Sequence, residues 1–236
     1  MPHSSKPRYV LDCEWDCEEK VQSRSISIIN LYRDIYGKDS IPAEKQYWTM
    51  CGAHFNKQGK INGEFGHVTE TGLIRPDQFF GIDREEVIIE NNSKLYPDAN
   101  WFNGDFLEVM ESYDGFNPAI INYDGVMQPR FGSQYLKSIM KFIDYNVETS
   151  LLLISTFLLT NSYAYNTELK FTIEFVINEL SSIYWIPDHW IMIPQAYLYS
   201  RSRTSRMGML MFIKNEHSVN EINITKDRRL TYAHSV

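Results

Sequence analysis

The chain has 236 residues, a mass of 27.7 kDa and a formal net charge of −7. Its 43% hydrophobic and 22% charged residues are typical of a globular protein and exclude a disordered or collagen-like chain. No apolar run reaches the roughly 20 residues of a membrane-spanning helix, and the N-terminus lacks the pattern of a signal peptide. Three cysteines argue against a disulfide scaffold, so we expect a cytoplasmic protein. The negative charge disfavours non-specific coating of nucleic acid but leaves a local basic site open.

The N-terminal part differs in character from the rest. Residues 1–45 are predicted to form an acidic extension with one helix, Val21–Tyr36, which Gly37 ends. Residues 46–236 are predicted to form one α/β domain, because neither an internal repeat nor a Gly/Ser-rich linker divides them.

From residue 46 onwards, short apolar runs alternate with helical patterns. The predicted strands are Gln46–Cys51, Gln78–Asp83, Asn100–Gly104, Pro118–Tyr123, Leu151–Leu159, Trp190–Tyr199 and Met207–Ile213. The predicted helices between them are Arg84–Leu95, Phe106–Tyr113, Gln134–Tyr145 and Glu168–Ile183. This alternation predicts a mostly parallel central sheet with helices on both faces. The last two strands have no helix between them and should form an antiparallel hairpin.

Acidic residues follow the second and third predicted strands. Asp83 ends one apolar strand, and Asp105, followed by Phe106, comes directly after the next. Ligands of open α/β sheets bind at the carboxyl ends of the strands, so both carboxylates are expected in one crevice. There Asp83 can accept hydrogen bonds from both hydroxyls of a ribose. Asp105 can accept from the amino group of an adenine while Phe106 packs on the base. The alternative for each Asp is a helix N-cap that needs no ligand.

The two stretches GIDREEVIIENN and NGDF resemble the second and third motifs of class I S-adenosylmethionine-dependent methyltransferases. The terminal hairpin resembles the reversed final strand of that family. The resemblance implies a class I methyltransferase-like fold and S-adenosylmethionine as the cofactor. It also implies that Asp83 binds the ribose and that Asp105 and Phe106 hold the adenine.

The first strand departs from the family pattern. The family has a glycine-rich loop there, next to the methionine part of the cofactor, and glycine lets the backbone approach the ligand. Here the stretch YWTMCG supplies Gly52 alone, which is our remaining cofactor candidate in this loop. The following residues, 53–68, look like a hairpin, and the next helix is predicted to begin only near Thr69 or Glu70.

The stretch INYD comes at the end of the fourth predicted strand, where the resemblance implies residues that face the methyl donor and acceptor. Nucleic-acid methyltransferases that modify amino groups often carry two prolines here; none follows Asn122, so that chemistry is not assigned. Asn122 and Asp124 are the catalytic candidates, with Asp124 as a general base or as a carboxylate that positions a hydroxyl. The alternative for Asp124 is a strand-ending Asp-Gly turn.

The densest basic stretch is SRSRTSR, residues 200–206. The predicted fold brings it to the ligand-binding edge of the sheet, where Arg201, Arg203 and Arg206 can bind the phosphates of a nucleic acid. The alternative is a solvated hairpin turn.

Several other classes of site are disfavoured. The cysteines and His54 match no zinc-finger spacing, so no metal site is predicted. The chain lacks a Gly-x-Ser-x-Gly elbow, a Walker loop and a Gly-x-Gly-x-x-Gly fingerprint, which argues against hydrolases, P-loop proteins and dinucleotide oxidoreductases. The sequence therefore predicts an S-adenosylmethionine-binding methyltransferase of unknown acceptor, with nucleic acid as the first candidate. The alternative is a non-catalytic binding or scaffold protein that retains the fold.

Overall fold

The computed structural model describes residues 28–52, 63–127, 129–159, 190–193, 199–202 and 205–214. The described strands are β1 (Gln46–Met50), β2 (Phe79–Asp83), β3 (Asn100–Asn103), β4 (Pro118–Met127), β5 (Leu151–Leu159), β6 (Trp190–Ile193), β7 (Tyr199–Ser202) and β8 (Ser205–Lys214). They form one eight-stranded sheet in the order β3-β2-β1-β4-β5-β8-β6, with β7 paired to β8. The predicted helix Glu168–Ile183 lies outside the described residues.

Strands β1 to β5 run parallel to one another, and β8 runs antiparallel to β5, β6 and β7. The described side chains at the start of β5, residues 151–155, are buried, as expected for a central parallel strand that is covered on both faces. The predicted mostly parallel sheet with a C-terminal antiparallel hairpin is confirmed.

Helices cover both faces of the sheet. They are α1 (described over residues 28–36), α2 (Glu64–Glu70), α3 (Glu86–Leu95), α4 (Phe106–Ser112) and α5 (Pro129–Asn146), and a 3₁₀ turn, Pro76–Gln78, leads into β2. One core cluster joins α4 and α5 to the sheet, and a second joins α1 and α2 to the opposite face. The helix of the predicted extension thus packs on the sheet. None of the described helices is long and apolar enough to cross a bilayer.

Close packing between aromatic rings aligns the strands that carry the acidic residues. On one face, Phe80 of β2 stacks on Trp48 of β1 at 4.7 Å and on Phe102 of β3 at 6.1 Å between ring centroids. On the other face, the ring of Trp101 covers Gly81 so closely that an added Cβ would lie 2.5 Å from it. The ends of β2 and β3 are therefore held in register by contacts on both faces of the sheet.

The structure corrects several element boundaries. Helix α5 begins at Pro129 and not at Gln134, and the predicted strand Trp190–Tyr199 covers β6 and the first residue of β7. Helix α2 begins at Glu64 and not near Thr69, because Phe65 and Val68, three residues apart, bury the same helical face against the core. Strand β4 continues to Met127, which pairs with Phe157 beyond a register shift. Asp124 therefore lies inside a strand, and the predicted strand-ending Asp-Gly turn is wrong.

Candidate functional site

A cavity of ≈ 210 Å³ opens at the carboxyl ends of the central parallel strands. This is the edge at which open α/β sheets bind their ligands. Strands β1, β2 and β4, the turns after β2 and β3, and helices α4 and α5 all contribute to its wall. The lining residues are Met50, Ile82, Asp83, Arg84, Glu85, Gly104, Asp105, Phe106, Tyr123 and Tyr135.

Asp83 is the last residue of β2 and lines the cavity. Its Oδ1 accepts a hydrogen bond from the Glu85 amide at 2.8 Å, and its main-chain oxygen accepts from the Gly104 amide at 3.0 Å. No cation pairs with this carboxylate in the part of the chain that the structure describes. Burial raises the pKa of Asp83 from 3.8 to about 6. Helix α3 is capped at Glu85, so Asp83 is not the N-cap that the sequence offered as an alternative.

Asp105 differs from Asp83 because donors surround it. It is the N-cap of α4, and its Oδ1 accepts from the amides of Leu107 at 3.0 Å and Glu108 at 3.4 Å. The Tyr135 hydroxyl donates to the same oxygen, and the Arg84 guanidinium donates to Oδ2. Burial alone would raise the pKa of Asp105, but the hydrogen bonds from Tyr135 and Arg84 outweigh it and lower the pKa. The N-cap alternative thus describes this residue.

Three aromatic rings form one wall of the cavity. Tyr123 of β4 stacks on Tyr135 of α5, with 5.1 Å between centroids and 21° between planes, and Phe106 of α4 lies 5.7 Å from Tyr123. Burial raises the pKa of both tyrosines above the ordinary value, so they are neutral at physiological pH. Such a wall suits an apolar or aromatic ligand group.

A second polar cluster lies on the other face of the sheet, under α2. Glu64 is 1% exposed, and its carboxylate accepts from the Tyr47 hydroxyl, from Thr49 Oγ1 at 3.1 Å and from Asn122 Nδ2 at 2.7 Å. We call these four residues the Glu64 cluster. Asn122 Oδ1 has no hydrogen-bond partner among the described residues. Asn122, a catalytic candidate from the sequence, is therefore bound to Glu64 and does not line the cavity.

The other predicted site residues are spread along the same edge of the sheet. Gly52 lies two residues beyond the end of β1, and its carbonyl accepts from Asn92 Nδ2 at 3.0 Å. Asp124 lies half-buried on β4 and does not line the cavity. Arg201 lies on β7 and Arg206 on β8, where Arg206 pairs with Leu159, the last residue of β5. Arg203 lies outside the described residues. The structure thus joins Asp83, Asp105 and Phe106 in one cavity.

The Asp83 cavity and the Glu64 cluster also contain residues that the sequence alone does not single out. Arg84 follows Asp83 directly, but the sequence indicates it only as the first residue of a predicted helix. Tyr135 shares an amphipathic helix with many polar residues, and Glu64 lies in a stretch read as a hairpin. Only the packing of distant segments reveals their contacts. Among the described residues, no group of three or more His, Cys, Asp and Glu side chains could hold a metal ion.

The fold is similar to those of solved methyltransferase structures. The bifunctional kinase-methyltransferase WbdD superposes with a TM-score of 0.50 at 12% identity, over 89% of this chain and 42% of its own. The chain has the class I methyltransferase fold. TrmN from Thermus thermophilus gives a TM-score of 0.49 at 6% identity, over 84% of this chain and 48% of its own. An O-methyltransferase from Bacillus cereus, in complex with SAH, gives 0.44 at 11%, over 84% and 90%.

This methyltransferase-like chain spans less than half the length of WbdD and of TrmN. No family model matches it, and no curated protein matches its sequence. At these identities, the likeness establishes the fold.

Proposed function

We propose that this chain binds S-adenosylmethionine in the cavity at the ends of β2 and β3 and transfers its methyl group. The observation that carries the proposal is the Asp83 carboxylate, which faces the cavity with no cationic partner among the described residues. An ionised carboxylate accepts hydrogen bonds and donates none. It can therefore accept one hydrogen bond from each of the two neighbouring hydroxyls of a ribose. Such charge-assisted bonds are about twice as strong as neutral ones.

The rest of the cavity supports a nucleoside-like ligand. The aromatic wall of Phe106, Tyr123 and Tyr135 offers apolar surface to a base or to an aliphatic chain. The cavity volume of ≈ 210 Å³ lies below the ≈ 300–1,000 Å³ of complete ligand pockets. A cavity of this size fits one part of the cofactor. S-adenosylmethionine supplies the activated methyl group when bound. The chain contributes by holding donor and acceptor close and aligned.

Titration calorimetry with S-adenosylmethionine and S-adenosylhomocysteine tests the binding. We expect micromolar affinity for the wild type and a loss of about a hundredfold in Asp83→Ala, because two charge-assisted hydrogen bonds contribute about 3 kcal/mol or more. Asp77→Ala is the matched control, since Asp77 is an exposed aspartate that pairs with Arg75 away from the cavity. Undetectable binding to the wild type would exclude this function. Unchanged affinity in Asp83→Ala would mean that the ligand binds elsewhere on the protein.

A second candidate function is a binding or scaffold protein that retains the fold without the chemistry. Two observations favour it: Asn122 is held by Glu64 beneath α2, and Asp124 does not line the cavity. Transfer of a labelled methyl group to RNA, DNA and protein acceptors separates the candidates. We propose nucleic acid as the first acceptor to try. What supports it is the arginine content of residues 200–206, of which Arg206 pairs with Leu159 at the end of β5. Cofactor binding without transfer to any acceptor would favour the scaffold.

A further inference from the structure

Asn92 is a buried polar residue on the inner side of α3. Ile89 and Asn92 are the two buried residues of this helix, and Asn92 is 0% exposed. Its Nδ2 donates to the Gly52 carbonyl at 3.0 Å, across 40 residues of the chain. A buried amide must be hydrogen-bonded to avoid a large loss of free energy, whereas an apolar side chain packs here without that requirement. The contact with Gly52 therefore gives a physical reason for an amide at this position.

Gly52 lies at the carboxyl edge of the sheet, beside the end of β2. The ladder between β1 and β2 continues past the last residue of β1, since the Cys51 amide donates to the Ile82 carbonyl at 2.9 Å. Asp83 follows Ile82, so Gly52 and Asp83 lie at the ends of neighbouring strands, which run about 4.8 Å apart. The hydrogen bond from Asn92 thus holds the backbone that comes next to Asp83 along this edge.

A nucleoside at Asp83 extends in a defined direction along the edge of the sheet. The strand order places β3, with Asp105 and Phe106 after it, on one side of β2 and β1 on the other. A ligand whose ribose binds Asp83 and whose base packs on Phe106 therefore directs the substituent on its 5′ carbon toward the end of β1. For the cofactor, that substituent is the amino-acid part, and it meets the backbone at Gly52.

We propose that Asn92 is a positioning residue for the amino-acid part of the cofactor and acts through Gly52. A peptide group is planar, so a hydrogen bond that holds the Gly52 carbonyl also fixes the plane of its peptide. The backbone at the end of β1 is then ordered before the ligand arrives, and binding costs less conformational freedom. This inference rests on the proposed function, since it needs the ribose of the cofactor at Asp83.

The test compares S-adenosylhomocysteine with 5′-methylthioadenosine, which has the same nucleoside and sulfur but lacks the amino-acid part. Titration calorimetry of Asn92→Ala should show about fivefold or more weaker binding of S-adenosylhomocysteine than in the wild type, because one hydrogen bond is lost. The affinity for 5′-methylthioadenosine should stay within about twofold of the wild type. Asn92→Leu fills the space of the amide but donates nothing, and it should show the same selective loss.

Asn91→Ala is the matched control. Asn91 is the neighbouring residue of the same helix, and its Nδ2 donates to the Val87 carbonyl within that helix at 2.8 Å. This variant should leave both affinities unchanged. Thermal melts of all three variants measure the stability of the fold, which a merely structural role of Asn92 would change without changing the ratio of the two affinities.

The outcomes separate this inference from the function on which it rests. If the wild type binds neither compound, the proposed function and the inference both fail. If the wild type binds both through Asp83 with equal affinity, the inference alone fails, because the amino-acid part then gains nothing at Gly52. An equal loss for both compounds in the Asn92 variants also overturns it, since the contact would then only hold α3 against the sheet. Unchanged affinity for S-adenosylhomocysteine in both variants overturns it as well.

Discussion

The Asp83 cavity and the Glu64 cluster both bring a carboxylate to the carboxyl edge of the sheet, but on opposite faces. Glu64 is 1% exposed and accepts from three side chains that come from β1 and β4. Asp83 accepts from one local amide and faces a cavity. A buried carboxylate whose acceptors are filled from within stabilises the fold, whereas one whose acceptors point into a cavity is available to a ligand.

This contrast distinguishes a structural group from a binding group where the sequence does not. Both residues are acidic, and both follow a glycine by one or two positions. The difference comes from the neighbouring strands. Tyr47, Thr49 and Asn122 turn their polar groups toward Glu64, while Ile82, Phe106 and Tyr123 leave the surroundings of Asp83 mostly apolar.

The largest expected effect is on the Glu64 side of the comparison. Glu64→Ala should lower the free energy of unfolding by about 3–5 kcal/mol, because three buried donors lose their acceptor at once. Urea unfolding measures this loss. The control Glu70→Ala, an exposed glutamate at the end of the same helix, should change stability by less than about 0.5 kcal/mol. A folded, stable Glu64→Ala that no longer binds S-adenosylhomocysteine would break the comparison and place Glu64 in the binding machinery.

An effect of intermediate size concerns the charge of Asp83. Its folded-state pKa of about 6 lies above the ordinary 3.8, so the carboxyl favours folding at low pH and this contribution is lost as the pH rises through 6. The Asp83→Asn variant keeps the acceptor for the Glu85 amide but has no charge to bury. Its stability relative to wild type should therefore rise by about 2 kcal/mol between pH 4 and pH 8.

Denaturant unfolding of both proteins at several pH values measures that difference. Asp77→Asn serves as the control of opposite sign, because the hydrogen bond from Arg75 lowers the pKa of Asp77. Its stability relative to wild type should stay level or fall slightly as the pH rises. A pH-independent difference for Asp83→Asn would mean that Asp83 has a cationic partner in solution, and the comparison with Glu64 would lose its basis.

The smallest expected effect sharpens the role of Asp105. Tyr135→Phe removes a hydroxyl that donates to Asp105 and accepts from the Leu107 amide at 2.9 Å. We expect a loss of about 1 kcal/mol, a fall in melting temperature of about 2–4 °C. Tyr145→Phe on the same helix is the control, since Tyr145 is 93% exposed and should show no change. A loss as small as that of the control would mean that the Asp105 donors do not act as a unit.

Much of the architecture could be read from the chain. Apolar runs and period-3.6 patterns are local, so the sequence predicts the strand Leu151–Leu159 with its observed bounds, and β2, β3, α3 and α4 to within one or two residues at either end. The hairpin prediction around Glu64 is wrong, because weak alternation of apolar residues between Ala53 and Phe65 imitates a hairpin. The helix at Glu64 is decided by the burial of Phe65 against Phe79 and Tyr96, which lie far along the chain.

The sequence by itself determined the alternation of strands and helices and, through it, which residues come at the carboxyl edge of the sheet. Asp83, Asp105 and Phe106 meet there because parallel strands end at one edge. Only the tertiary structure decided what each carboxylate does. Arg84 and Tyr135 reach Asp105, and Tyr47, Thr49 and Asn122 reach Glu64, across separations of 15 to 58 residues along the chain. Hydrogen bonds between such distant residues depend on packing geometry, which no local pattern encodes.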